Sequence, residues 1–255
     1  MNHPIFIFQI LLFFILTSCS AQTTSQKVVK IDAQEVIYRN QKFDVVKIDL
    51  RKTPVQFFWK NKNGQLIRSL ENLKKEVENE NKELLFAMNA GMYQRDRNPQ
   101  GLYIENGKTI KPLDTLQDGY GNFYLQPNGV FYLKNDSAGV LTSNVFSKKN
   151  INPTWATQSG PMLLINGKIH PKFTDGSKNL HIRNGVGILP SGEILFAMSK
   201  EKINFFDLAS FFKKHGCQNA LYLDGFVSKT FLPVDTGIKD QSRTRAKEKQ
   251  GKWLV

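Results

Sequence analysis

Histidine and cysteine are scarce in this sequence, and their scarcity excludes several kinds of site. The 255 residues contain four histidines and two cysteines. His3 and Cys19 belong to an N-terminal processing signal, so no pair of unmodified thiols remains for an intrachain disulfide. A paired-histidine zinc motif, a glycine-rich phosphate loop and a nucleophile elbow are all missing. We therefore expect stability from packing, with Cys217 buried and His170 and His215 at the surface or at helix ends.

The N-terminal residues have the pattern of an export signal. Residues 5–16 are apolar except for Gln9, a run too short to span a bilayer comfortably and typical of a signal h-region. The run ends in Leu-Thr-Ser-Cys at 16–19, which resembles a bacterial lipobox. We predict a signal peptide over 1–18, a lipidated Cys19 and a tether within 19–41, with Ser20 favouring the outer membrane of a Gram-negative cell. Because residues 1–4 lack Lys and Arg, an ordinary cleaved signal with a chance cysteine is the alternative.

Acidic residues are outnumbered, since 35 Lys and Arg face 22 Asp and Glu for a formal net charge of +13. Such an excess attracts anionic partners. For an exported chain these are anionic glycans, phosphate-containing polymers or lipid headgroups and not nucleic acid, and no protein partner is indicated. Part of the excess lies in a helix around Lys74 and in a basic, solvated C-terminal tail, residues 237–255.

Hydrophobic periodicity predicts two units in which a helix is followed by a strand. In the first, two strands over 42–59 precede a helix over 65–81, and a strand from 84 ends in Asn-Ala-Gly at 89–91. In the second, Asn204 caps a helix that Gly216 closes, and the next strand ends in Asp-Gly at 224–225.

Turn signals complete the fold prediction. Asn-Gly or Ser-Gly pairs predict hairpins at 106–107, 128–129, 166–167 and 191–192. The similar hexapeptides at 83–88 and 193–198 indicate an internal duplication, with chance similarity between strands as the alternative. The predicted class is α+β, with mixed, largely antiparallel sheets, a few helices on the outer face and one domain over 42–236.

Three segments place functional groups at predicted strand ends. Asp224 would hold a carboxylate at a sheet rim, although an Asp-Gly hairpin turn explains the pair equally well. Arg183 precedes a glycine-punctuated strand and offers a guanidinium fork suited to phosphate, with a surface ion pair as the alternative. Ser159 and Gly160 precede a further buried strand, and ordinary turn chemistry is the alternative there.

These segments and two others resemble the motifs of the phosphodiester glycosidase family. The similarity covers residues 45–235 and is closest to a short bacterial branch formerly classed as a domain of unknown function. The resemblance implies hydrolysis of a sugar-1-phosphodiester at the glycosidic bond, with release of free sugar and a phosphomonoester. In chain order the motifs are Asn89-Ala90-Gly91-Met92-Tyr93, Pro99-Gln100-Gly101, Ser159-Gly160-Pro161, Arg183 to Gly187, and Leu223-Asp224-Gly225 through Ser228.

The same resemblance implies roles for individual residues. Asp224 is the expected nucleophile or general base, Arg183 the phosphate clamp and Asn89 an orienting donor. These three and Ser159 are expected to face one cleft, and no second carboxylate is identifiable. The expected substrate-binding residues are Ser159, Gly160, Ser228, Gly91, Gly225 and His181, the last also a candidate acid.

Two positions depart from the family pattern. Phe226 stands where a second glycine is usual, and Asn184 stands where a hydroxyl is usual. Two other functions therefore remain open: a non-catalytic envelope lipoprotein that binds anionic glycan or phosphate-containing polymer, and a phosphodiesterase that cuts the P–O bond, for which the chain has few histidines. No cofactor is evident, and a divalent cation (Ca, Mg or Mn) bridging Asp224 and phosphate is an option.

Overall fold

The computed structural model describes residues 31–224 and two further short strands, Thr230–Phe231 and Trp253–Leu254. The predicted signal peptide and Cys19 lie outside the described residues, as do Gly225, Phe226 and Ser228. The helices are α1 (Leu70–Glu78), α2 (Ser143–Lys148) and α3 (Phe205–Lys214), with a 3-10 turn at Asn122–Tyr124. The strands are β1 (Asp32–Tyr38), β2 (Gln41–Ile48), β3 (Phe57–Phe58), β4 (Ala87–Asn89), β5 (Tyr103–Glu105), β6 (Lys108–Lys111), β7 (Gly129–Lys134), β8 (Ser137–Thr142), β9 (Trp155–Ser159), β10 (Met162–Ile165), β11 (Lys168–Ile169), β12 (Asn184–Ile188), β13 (Ile194–Ser199), β14 (Ala220–Tyr222), β15 (Thr230–Phe231) and β16 (Trp253–Leu254).

The strands form three sheets. The first has seven strands in the order β1-β2-β13-β12-β14-β10-β11, and the second has four in the order β15-β4-β16-β3. The third has five in the order β6-β5-β9-β7-β8. Every strand pair within the described residues is antiparallel. The predicted α+β class with largely antiparallel sheets is confirmed.

The seven-stranded sheet is buried on both faces. Val46, Phe196 and Leu221 point into a core that all three sheets share. Their strand neighbours Val45 and Leu195 point to the other face, where α3 covers them. Because successive side chains of a strand alternate between faces, continuous apolar runs are what such a sheet requires.

The predicted helix boundaries are confirmed for α3 and shortened for α1. The Asn204 side chain accepts the Asp207 N–H at 2.8 Å, and Gly216 follows the helix in the left-handed region with φ +84°. α1 begins after Ser69, whose hydroxyl accepts the Asn72 N–H at 3.1 Å. The residues before Ser69 do not join this helix.

Three predicted hairpins are confirmed, at 106–107, 166–167 and 191–192. The fourth is wrong. Asn128 is buried and its Nδ2 donates to the Phe123 carbonyl oxygen at 3.2 Å, while Gly129 opens β7. The turn between β7 and β8 lies at Asn135, with φ +51°. The Asn-Gly pair is used to attach a loop to a strand and not to reverse the chain.

The described elements extend beyond the predicted domain limits of 42 and 236. β1 lies within the segment predicted as a tether, and it pairs along its whole length with β2. β16 lies within the segment predicted as a solvated tail, and it pairs with both β3 and β4. Segments outside both predicted domain limits therefore contribute strands to sheets.

The side chains of three scarce residues have clear positions. His170 is 1% exposed, so its predicted surface position is wrong; the ring Nε2 lies 2.9 Å from the Gln126 carbonyl oxygen. His215 is the residue that ends α3, as predicted. Cys217 is buried, as predicted, and burial raises the pKa of its thiol to about 12, so the thiolate is scarcely populated.

Among the described residues, no helix combines the length and apolar character needed to cross a bilayer.

Candidate functional site

The ends of two strands from different sheets meet at one point. β4 ends at Asn89 and β14 ends at Tyr222. The Asp224 N–H donates to the Ala90 carbonyl oxygen at 2.9 Å, and Asn184 Nδ2 donates to the Asn89 carbonyl oxygen at 3.0 Å. The two helix-then-strand units predicted from the sequence therefore end side by side, with the predicted acid at their junction.

A cavity of about 330 Å³ opens at this junction. Asp224 and Tyr222 lie at its base, and its walls come from the segments 92–100 and 120–123. Its volume is at the lower end of the range for small-molecule sites. The described lining residues are Met92, Tyr93, Gln94, Arg95, Gln100, Tyr120, Gly121, Asn122, Phe123, Tyr222 and Asp224. A second cavity of about 250 Å³, lined mainly by apolar side chains, shares none of these residues.

One wall is a small hairpin made by residues 92–100. Tyr93 and Pro99 form an antiparallel bridge within it. Arg97 takes the left-handed conformation that its turn needs, with φ +69°. Trp59 Nε1 donates to the Arg97 carbonyl oxygen at 2.9 Å. The hairpin is thus closed on itself and attached to the body of the protein.

The other wall is anchored by Gln158, a fully buried residue of β9. Its Oε1 accepts the backbone N–H groups of Leu102 at 3.0 Å and of Asp114 at 2.9 Å. Its Nε2 donates to the Asp114 carbonyl oxygen at 2.8 Å and to Ser143 Oγ at 3.0 Å. The Tyr124 hydroxyl also donates to the Asp114 carboxylate at 2.9 Å. One buried amide therefore fixes the segment that leads into this wall.

Asp224 is nearly buried, and its charge acts on Tyr93. Asp224 is 9% exposed, and both residues line the cavity. Burial raises the pKa of Tyr93 to about 12, the negative charge of Asp224 adds to the rise, and Arg97 opposes it. The Tyr93 phenol consequently stays protonated near neutral pH and offers a neutral hydrogen-bond donor. Asp224 is the only carboxylate among the described lining residues.

Two motif glycines permit close packing behind the cavity. A Cβ on Gly91 would overlap the Thr157 hydroxyl and lie 2.5 Å from the Gln158 carbonyl oxygen. A Cβ on Gly160 would lie 2.7 Å from the Phe123 carbonyl oxygen. The absence of a side chain at these positions lets both cavity walls approach β9.

Arg183 lies inside the protein and is not among the residues that line the cavity. It is 1% exposed; its Nε donates to the Ile203 carbonyl oxygen at 2.9 Å, and its Nη2 donates to the Asn179 carbonyl oxygen at 3.0 Å. The guanidinium carbon lies 3.6 Å from the centroid of the Phe205 ring and 5.5 Å from that of Tyr222. Burial lowers the pKa of the guanidinium, and the Tyr222 phenol opposes this effect. Arg183 therefore reaches the cavity only through Tyr222.

Of the predicted site residues that the structure describes, Asp224 alone lines the cavity. Asn89 and Ser159 are fully buried. His181 is exposed and pairs through its backbone with Ile203, at 3.0 Å and 2.8 Å. The predicted roles of Gly225 and Ser228 lie outside the described residues. The motifs thus build the junction behind the cavity, and other residues form most of its surface.

The sequence analysis assigned no role to the residues that form the walls. Tyr93 and Gln100 stand inside two of the quoted motifs, so those motifs were a signal that could have found them. Arg95 and Tyr120 stand outside every motif. Their position becomes clear only when the hairpin and the opposite segment are folded against the end of β14.

No group of three or more His, Cys, Asp or Glu side chains among the described residues is placed to hold a metal ion. A cation bound here would have Asp224 as its carboxylate ligand and would take further oxygens from a bound phosphate. The bridging cation therefore stays a prediction.

Comparison with known proteins places the chain in a family. The family model described as "Phosphodiester glycosidase" matches residues 82–251. The uncharacterized protein YigE of Escherichia coli (strain K12) is 38% identical over 179 residues, which are 70% of this chain and 69% of that protein.

Solved structures share the fold at low sequence identity. The zebrafish N-acetylglucosamine-1-phosphodiester alpha-N-acetylglucosaminidase (NAGPA) catalytic domain, auto-inhibited by its pro-peptide, matches with a TM-score of 0.59 and 15% identity over 88% of this chain and 81% of that chain. A hypothetical protein from Synechocystis matches with a TM-score of 0.52 and 13% identity over 88% of this chain and 61% of that chain. Because the family model covers well over half of the sequence, this chain belongs to the phosphodiester glycosidase family.

Proposed function

We propose that this chain is an exported glycosidase that hydrolyses a sugar-1-phosphodiester at the glycosidic bond. The observation that carries the proposal is Asp224, a nearly buried side chain that is the one carboxylate among the described residues lining a cavity that also presents amide and phenol groups. Membership of the phosphodiester glycosidase family supports the reaction class. The name of the zebrafish relative supports N-acetylglucosamine as the first sugar to test.

The single carboxylate suits a phosphate leaving group. In the proposed reaction the bond between the sugar C1 and the bridging oxygen breaks, and the phosphomonoester leaves with both electrons of that bond. The oxygen of water ends on C1, and its proton is released. Because a phosphomonoester leaves without being protonated, a second carboxylate acting as general acid is not required.

Asp224 can act on the sugar carbon in two ways. As a nucleophile it forms a glycosyl-enzyme that water then hydrolyses with net retention of configuration at C1. As a general base it removes a proton from an attacking water, and the configuration is inverted. The protonated phenol of Tyr93 and the amides of Gln100 and Asn122 line the same cavity and supply donors for the sugar or the phosphate.

The test is hydrolysis of UDP-N-acetylglucosamine and of aryl sugar-1-phosphodiesters in ¹⁸O-labelled water by the full-length chain in mild detergent. Label in the released sugar supports cleavage at C1, whereas label in the phosphate contradicts it and indicates P–O cleavage. Asp224→Asn should reduce kcat by roughly 10³-fold or more. Asp118→Asn, which removes an exposed carboxylate that does not line the cavity, is the matched control.

The same assay distinguishes the alternative, a non-catalytic envelope protein that binds anionic glycan. That function predicts no turnover on any substrate, with or without Ca²⁺, Mg²⁺ or Mn²⁺, and binding that survives Asp224→Asn. Activity that is lost with a chelator and restored by one of these ions would support the bridging cation.

We also propose that the chain is exported and attached to the bacterial membrane through a lipid on Cys19, facing the periplasm or the cell surface. The lipobox-like sequence at 16–19 supports this anchor. Metabolic labelling with a palmitate analogue should mark the wild-type chain and leave Cys19→Ser unlabelled. Equal labelling of both would contradict the anchor.

A further inference from the structure

The tip of the hairpin wall carries the exposed side chain of Arg95, which has no partner among the described residues. The Arg97 N–H donates to the Gln94 carbonyl oxygen at 2.8 Å, and this turn places Arg95 at the tip of the hairpin. Arg95 lines the cavity that contains Asp224. Within the described part of the chain, its guanidinium makes no hydrogen bond, ion pair or ring contact. An exposed positive group on a closed turn therefore lines the cavity and has no partner within the described residues.

The other described arginines near the cavity do not line it, although the positive charge of Arg97 opposes the rise in the pKa of Tyr93. Arg183 is buried and donates to two backbone carbonyl oxygens. Arg97 does not line the cavity, and Trp59 holds its carbonyl oxygen. Arg95 is therefore the one cationic side chain among the described residues that line the cavity.

The opposite wall presents an aromatic ring to the same opening. Tyr120 lines the cavity and is 101% exposed, so its ring packs against nothing in the described structure. An exposed aromatic ring that lines a cavity is suited to stack on a flat ring of a ligand. Arg95 and Tyr120 are thus exposed residues on two different lining segments of the cavity, whereas Asp224 is nearly buried.

We infer that Arg95 binds the phosphate of the substrate and that Tyr120 packs against a flat ring in the alcohol esterified to that phosphate. This inference rests on the proposed function, because it assumes that the sugar occupies the base of the cavity beside Asp224. It commits the substrate to a class: sugar-1-phosphodiesters whose second alcohol carries an aromatic or heterocyclic ring. Arg95 supplies a charge-assisted contact, and Tyr120 selects among alcohols.

The test uses two substrates that differ only in that alcohol, the phenyl and the methyl phosphodiesters of N-acetylglucosamine 1-phosphate, with the full-length chain in mild detergent. Arg95→Gln should raise KM for both substrates by roughly 10-fold with little change in kcat, because a charge-assisted hydrogen bond is lost. The KM of Arg95→Lys should lie between those of Arg95→Gln and wild type, since lysine keeps the positive charge but cannot form the paired hydrogen bonds of a guanidinium. Arg68→Gln is the matched control, because Arg68 is an exposed arginine that does not line the cavity.

Tyr120→Ala should raise KM for the phenyl substrate by roughly 5-fold and leave KM for the methyl substrate unchanged, because only the phenyl ring can stack. Leu116→Ala is its control, since Leu116 is 61% exposed on the same segment and does not line the cavity. An equal rise for both substrates would overturn the stacking role. Equal KM values for Arg95→Gln and Arg68→Gln would overturn the phosphate contact.

Calorimetric titration with the phenyl phosphodiester separates this inference from the proposed reaction. If the wild type turns over neither substrate, the glycosidase proposal fails, but the Kd values of wild type, Arg95→Gln and Arg68→Gln still test the contact. A Kd that rises only in Arg95→Gln supports it. No binding to the wild type, or the same Kd in all three proteins, overturns it.

Discussion

Replacing Gln158 by leucine should destabilise the protein strongly and disorganise one wall of the cavity. The Gln158 amide is fully buried and makes four hydrogen bonds to three residues. Leucine fills a similar volume but can neither accept nor donate. The Leu102 and Asp114 N–H groups, the Asp114 carbonyl and the Ser143 hydroxyl would all lose this partner at once.

The size of the stability loss depends on how well water can replace Gln158 as the hydrogen-bond partner of each group. Leu102 is 4% exposed, so its N–H is left unsatisfied at a cost of about 1–3 kcal/mol. Asp114 is only partly buried, so water replaces part of what its N–H and carbonyl lose, and each costs less. A total loss of roughly 2–5 kcal/mol in the free energy of unfolding follows, a large share of the 5–15 kcal/mol typical of a domain.

Urea unfolding measures this loss, with Gln117→Leu as the control because Gln117 is exposed and makes one local hydrogen bond. Gln158→Glu adds a second readout. A carboxylate there still accepts both N–H groups but opposes the Asp114 carbonyl oxygen, so the folded state raises its pKa above the unfolded value of about 4.3. Its stability should therefore lie nearest wild type at low pH and fall as pH rises through the folded pKa. A Gln158→Leu protein within about 0.5 kcal/mol of wild type would refute the reasoning.

Three further predictions test other parts of the site and fold. Arg183→Lys should lower the free energy of unfolding, measured by urea unfolding, by about 2 kcal/mol, because an ammonium group cannot reproduce the guanidinium hydrogen bonds to Ile203 and Asn179. An unchanged free energy of unfolding would contradict a structural role for Arg183. Burial lowers the folded pKa of His170 below 6.5, and nearby Lys172 adds to this, so its contribution to stability is complete above pH 6.5 and is lost as pH falls through the folded pKa. Tm should fall between pH 7.5 and 5 by more in wild type than in His170→Gln, and parallel curves would contradict this. Gly160→Ala should lower the free energy of unfolding by about 1–3 kcal/mol in the same urea assay, because its Cβ would lie too close to the Phe123 carbonyl oxygen in the wall formed by residues 120–123. A variant as stable as wild type would show that this wall can move.

Local patterns predicted the elements of this fold better than its boundaries. The Asn204 cap and the left-handed Gly216 are set by neighbouring residues, and both were predictable. The strand β16 was not, because its partners β3 and β4 are distant in sequence. The strand β1 was missed although its partner β2 follows it directly, across a turn at Arg39 and Asn40. The Asn128-Gly129 pair was also misinterpreted, because local sequence does not distinguish an Asn-Gly hairpin turn from a buried Asn whose side chain donates to a loop carbonyl oxygen.

The candidate site likewise contains residues that the sequence indicated and residues that it did not. Asp224 could be found from the sequence because a buried strand delivers it, and the motif glycines could be found because only glycine fits their positions. Apart from the motif residues Tyr93 and Gln100, the wall residues could not be found, because segments 92–100 and 120–123 have no periodicity that places them. Arg183 was predicted to reach the cleft from its chemistry, its place before a predicted strand and the family resemblance. None of these reveals that aromatic rings and carbonyl oxygens enclose its guanidinium.

Asn184, which stands where the family usually has a hydroxyl residue, belongs to the junction of β4 and β14 and does not line the cavity. Asn184 is fully buried, and its amide nitrogen spans 3.0 Å to the carbonyl oxygen at the end of β4. Its own carbonyl accepts the Leu223 N–H at 3.2 Å, so this residue connects β12 to both strands that present the site. A shorter hydroxyl side chain at this position would need β4 to move closer or a water to bridge the gap. We therefore expect differences in substrate between this chain and its relatives to come from the cavity walls, which include Arg95 and Tyr120, because the junction residues Asn89 and Asn184 do not line the cavity.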